Sequence, residues 1–238
     1  MHSTRRILGS LVAGAVIGLV LVGCSGTSTA SSSPTALPSP TVAPPTTSPS
    51  VAPPSESPTV APTGPFALRS GALTPGPYTT TAFQPPLAFT LDAGWNGMFP
   101  DDDDEVALEG PGGIFFAISR VSKVVDPTSG LAVAAPEDLT DWFTTHPLLT
   151  VTTPNAVTVG TVSGDVLDVT VTNSSEIGIF GFPTGNLRIP AGVTYRCYVL
   201  PLEGPDMTII IGAPDDGFAD AVVFVQTLLD SLVIDAGG

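Results

Sequence analysis

The chain is short of positive charge. One lysine, Lys123, and six arginines face 22 acidic residues, for a formal net charge of −15. That balance excludes the phosphate-neutralising surface that nucleic-acid binding requires, and it would be repelled by an anionic leaflet. Histidine and cysteine are equally scarce, at two of each in 238 residues. A zinc site lacks its ligands, and a framework of several disulfides is excluded. His146 is the only histidine beyond position 2, so a Ser-His-Asp triad has a single base to draw on. No G-x-S-x-G elbow occurs. The nearest string, "GTVSG", carries its serine one place late and lies between expected strands.

What is present begins with "MHSTRRILGSLVAGAVIGLVLVGC". Arg5 and Arg6 form a short basic region, and the 16 residues from Ile7 to Val22 are uncharged and mainly apolar. This is a signal-peptide pattern, since a membrane span needs roughly 20 apolar residues and basic flanks. "TRRIL" partly matches a twin-arginine signal, which leaves the general secretory and folded-export routes both open. The closing tetrad Leu21-Val22-Gly23-Cys24 resembles the lipobox of bacterial lipoproteins. That resemblance implies cleavage before Cys24 and a diacylglycerol on its thiol, with palmitate-type chains holding the protein to the outer face of the cell membrane. Loss of residues 1–23 leaves 5 basic against 22 acidic residues, a net of −17. Cys197 is then without a partner. It shares one strand face with Val193, Tyr195 and Val199, where it reads as a small buried hydrophobe.

Ser25 to Pro65 is almost all Pro, Ser, Thr and Ala, with Glu56 as its only charge. Such residues cannot supply a core, so 24–65 reads as a disordered linker behind the lipidated cysteine. It contains a nine-residue repeat, "SPTVAPPTT", "SPSVAPPSE", "SPTVAPTGP". Fully extended at about 3.1 Å per residue, the linker would reach roughly 125 Å. Its composition also suits O-glycosylation.

Residues 66–238, 173 in all, suffice for one globular domain. Their period is mostly two: "YTTTAF", "LAFTL", "EVALE" before the turn "GPGG", "IFFAISRV", "AVTV", "VLDVTVT", "VTYRCYVL" and "MTIII" read as strands. Two stretches shift to the helical period. "APEDLTDWFTTHP" places Leu139, Trp142 and Phe143 on one stripe, and "PDDGFADAVVFVQTLLDSLVI" does so with Phe218, Ala221, Val222, Val225, Leu228, Leu229 and Leu232, Asp215 or Asp216 being the expected cap. The fold class is therefore α+β, two helices on a largely antiparallel sheet. The order of these elements, with a strand running into "DAGW" and a last helix ending "LLDSLVI", is similar to the PsbP-like α/β/α sandwich of small secreted actinobacterial-type lipoproteins. The resemblance implies a sandwich fold and a cell-envelope location, and it carries no catalytic residues onto this chain.

Three features are candidates for chemistry. Asp101, Asp102, Asp103, Asp104 and Glu105 place five carboxylates in a row, enough for weak cation binding. They do not form an EF-hand, because Val106 and Gly112 stand where that loop needs Gly and Glu. The competing reading is a solvated acidic turn. Trp95, after a strand, is either a partner anchor or the plug at one end of the core. In "EIGIFGFPTGNLRIP", from Glu176 to Pro190, Phe180 and Phe182 fall in a Gly-rich loop that either exposes them to a partner or folds them over the sheet. No catalytic residue, resident metal or cofactor is expected. The sequence thus points to a lipid-anchored, extracytoplasmic binding module with a protein or glycan partner in the envelope. The alternatives are an envelope hydrolase using paired carboxylates and an accessory subunit that stabilises a membrane complex.

Overall fold

A computed structural model describes residues 64–235, apart from 174 and 184. The expected signal peptide, Cys24 and nearly all of the linker lie outside the described residues.

The domain is built on one long antiparallel sheet. Its strands run in the order Leu149–Val151, Val162–Val171, Val193–Leu200, Asp206–Pro214, Ile114–Val121, Glu105–Gly110, Asn96–Gly97 and Gly71–Ala72, and Asn155–Val159 folds back onto Val162–Val171. The strand Asp206–Pro214 sits near the middle. Met207 to Ala213 are all buried, which explains why "MTIII" departs from simple alternation: a strand covered on both faces reads as a continuous apolar run. Ile209 and Ile211 point into one core with Phe116 and Ile118, whereas Ile210 points into the other with Leu167, Val169, Cys197 and Val199.

Each core is closed by a helix. Helix α1, Leu139–Thr145, is capped by Asp138, whose carboxylate accepts the Asp141 N–H at 2.8 Å, and it buries Leu139 and Phe143 in the Ile210 core. Helix α2, Phe218–Ser231, buries Ala221, Val225, Leu228 and Leu229 against Ile209 and Ile211. The two helices therefore cover opposite faces of the sheet. The cap expected at Asp215 or Asp216 is not there. Gly217 occupies the position without a side-chain bond, because Asp215 accepts the Thr194 hydroxyl at 2.7 Å instead.

Two smaller four-stranded sheets complete the domain. One, ordered Phe66–Ala67, Gly76–Thr79, Leu87–Leu91, Val233–Ile234, contains the one parallel pair among the described residues. The expected strand "YTTTAF" stops at Thr79: the Thr80 N–H still donates to the Leu87 carbonyl, but those of Thr81, Ala82 and Phe83 are bound by the side chain of Asp101. The other sheet, ordered Gly185–Ile189, Ile177–Phe182, Lys123–Val125, Ala132–Ala134, corrects the loop expected at Glu176 to Pro190, which is a β-hairpin. Its register slips between Gly178 and Phe180. That bulge breaks the alternation and turns the neighbours Ile179 and Phe180 both inward, each fully buried. Phe180 packs edge to face on Phe143 at 5.8 Å between centroids.

The consequence is measurable by urea denaturation. Phe180→Ala is expected to destabilise the domain by about 3–5 kcal/mol, as for a buried aromatic; a loss within about 0.5 kcal/mol would mark a surface side chain.

Candidate functional site

The acidic run turns back into the strand Glu105–Gly110, and its five carboxylates do different things. Asp101 is a structural latch. It accepts the N–H and hydroxyl of Thr81, the N–H of Ala82 at 2.9 Å and that of Phe83 at 3.4 Å. Burial pushes its pKa up, but these four bonds to the ionised form outweigh it and the net shift is downward. With its oxygens so engaged, Asp101 leaves the set of cation ligands.

Asp102, Asp103 and Asp104 each bring a carboxylate oxygen within 4.8 Å of the others. Asp102 also accepts the Asp104 N–H at 3.0 Å, which tightens the turn. Burial, then the charges of Asp103 and Asp102, raise the pKa of Asp104, while Lys123 opposes the shift. Glu105 is the most perturbed of the group. Burial first, then Asp102 and Asp104, push it from 4.5 to about 7. Its register partner Ser119 stands opposite on the same face of the sheet, with Thr208 next in the row. Both hydroxyls are fully buried and have no hydrogen-bond partner.

These carboxylates form one side of a cavity of about 290 Å³. Asp102 to Glu105 line it together with Phe99, Pro100, Phe182 and Pro183. Of the three aromatic candidates, Phe182 alone belongs to it, half-buried at the tip of the hairpin. Phe180 lies in the core beneath. Trp95 is buried too, its ring 6.0 Å from Phe116 and 5.6 Å from Phe224, so it plugs the α2 side of the core and presents no surface to a partner. Sequence reasoning missed Phe99, which is 45% exposed. Its signal was the apolar pair Met98-Phe99 ahead of a charged run, outside any strand pattern.

The remaining candidates are structural. His146 ends α1, buried against Trp142 with ring centroids 4.8 Å apart. Its Nδ1 accepts the Leu148 N–H at 3.3 Å, Nε2 has no partner, burial lowers its pKa, and the ring is not bonded to any serine or carboxylate among the described residues. Cys197 is fully buried and burial drives its thiol well above the ordinary range, which removes it as a nucleophile.

Compared with protein-family models and with curated proteins, the chain matches none.

The displaced titration of Glu105 has a stability signature. Because its folded-state pKa is raised, its contribution is fully present below pH 4.5 and is lost as pH rises towards about 7. Glu105→Gln is therefore expected to stabilise the domain by about 1–2 kcal/mol at pH 8 and to leave it unchanged near pH 4, read from paired melting curves.

Proposed function

We propose that this chain is an extracytoplasmic binding module, tethered to the cell membrane through diacylglycerol on Cys24, with a PsbP-like α/β/α sandwich as its globular part. The carrying observation is the cavity between Phe99, Phe182 and the acidic turn. Two aromatic rings and two prolines there face a group of carboxylates, an arrangement suited to holding a ligand by apolar contact and charge. The signal-like N-terminus and the "LVGC" tetrad support the tether, and the Pro-rich repeat supports presentation at a distance from the membrane. Two helices on opposite faces of an antiparallel sheet support the sandwich.

One observation favours a second reading, an envelope hydrolase. Glu105 is raised to about 7 in the cavity it shares with Asp102 and Asp104, as a general acid beside a carboxylate base would be. The binding reading is preferred because the perturbing carboxylates sit in one solvent-facing turn, and Asp101 is committed to the backbone of residues 81–83. Turnover of aryl glycosides or esters that disappears in Glu105→Gln would reverse that preference.

The tether is tested by intact mass and membrane partition of the wild type and Cys24→Ser. The wild type is expected to carry a diacylglyceryl mass and to sediment with membrane, and the variant to remain soluble. A soluble wild type with a free Cys24 thiol would overturn the anchor.

A further inference from the structure

The cavity beside the acidic turn has the chemistry of a particular ligand class. Phe99, Pro100, Phe182 and Pro183 give it an apolar, partly aromatic wall, and Asp102, Asp103 and Asp104, joined by a Glu105 that is only partly ionised near neutral pH, give it a negative one. An anion would meet largely uncompensated like charge there, since among the described residues Lys123 alone offsets Asp104 and no cation offsets Glu105. A neutral apolar ligand would leave the carboxylates unsatisfied or force them to lose water. A bare divalent ion would use three aspartates and ignore the aromatic wall, and it prefers six or more oxygens where Asp101 is already occupied. What satisfies both walls is a positive charge on an apolar body.

Phe99 is held at the rim with 45% of its surface exposed, although the domain buries Phe83, Phe116, Phe143 and Phe180 completely. A cavity of about 290 Å³ accommodates a small molecule and not a folded partner.

We infer that this cavity binds a small organic ammonium ion, its charge among Asp102 to Glu105 and its apolar body between Phe99 and Phe182. The inference rests on the binding-module reading above and names the ligand class for that site. Aromatic rings recognise such cations through their negative faces, quaternary ammonium groups above all, and carboxylates add the long-range attraction.

The test is calorimetric titration of the full-length chain with three probes: benzyltrimethylammonium, the neutral benzyl alcohol, and Ca²⁺ alone. Benzyltrimethylammonium is expected to saturate a single site, with affinity falling as salt is added. Benzyl alcohol is expected to bind at least about tenfold more weakly. Phe99→Ala and Asp103→Asn, both at exposed positions and so expected to stay folded, should each weaken the ammonium by about tenfold. Equal binding of the alcohol would overturn the ammonium class and leave the binding-module reading standing. Binding of Ca²⁺ with neither organic probe would reduce the turn to an ion site and overturn the inference. Ammonium binding that neither variant weakens would place the site elsewhere and overturn it as well. Silence from all three probes would remove both the inference and the cavity as the module's binding surface.

Discussion

Ile209, Ile210 and Ile211 are consecutive, lie in one extended strand, and are all fully buried. Side chains alternate along a strand, so burying all three requires apolar cover on both faces of the sheet. Much of the architecture follows. Helix α2 and the small sheet with Leu87–Leu91 cover Ile209 and Ile211; helix α1 and the Ile177–Ile189 hairpin cover Ile210. Each cover is too short to stand alone: α1 has only seven residues, well under the length at which an isolated helix holds together in water. The sheet gives them a surface to fold against, and they remove it from water.

Scarce cations shape what lies outside the cores. Arg120 donates to the carbonyls of Gln84, Glu203 and Pro205 at 2.9, 2.9 and 3.0 Å, tying two loops to the strand Ile114–Val121. Arg196 grips Asp168 with two bonds of 2.8 and 2.9 Å. Arg188 faces Glu176 across an exposed 3.6 Å pair. With these basic groups engaged in holding loops and strands, the acidic turn keeps most of its charge uncompensated. It is held in shape by backbone donors to Asp101, which cost no counter-charge. The negative character of the cavity is thus a by-product of how the few positive side chains are used.

The functional geometry arises where two sheets meet. The acidic turn leads into the long sheet, whereas Phe182 ends a strand of the small hairpin sheet. The bulge that buries Ile179 and Phe180 also sets the phase of Phe182, which lines the same cavity as Phe99. Had the strict alternation continued, one of Ile179 and Phe180 would face outward. The same irregularity therefore completes a core and furnishes one wall of a cavity.

Much of the domain was legible locally. Alternation in "VLDVTVT" and "IFFAISRV", the helical stripes at Leu139 and Ala221, and the glycine turn after Gly110 need only neighbouring residues to be read, because period and turn chemistry are local properties. The same holds for the small apolar environment of Cys197. The site was legible only in parts: the acidic run and Phe182 stood out, Phe99 did not, and Trp95 and Phe180 read either as partner contacts or as core, of which the core reading holds. Whether an aromatic is wall or core depends on what packs over it, and here a bulge and a second sheet made that decision. Likewise, five adjacent carboxylates are equivalent in sequence. Tertiary structure alone separates Asp101, pulled down by Thr81, Ala82 and Phe83, from Glu105, pushed up by burial, because a pKa responds to partners many residues away along the chain.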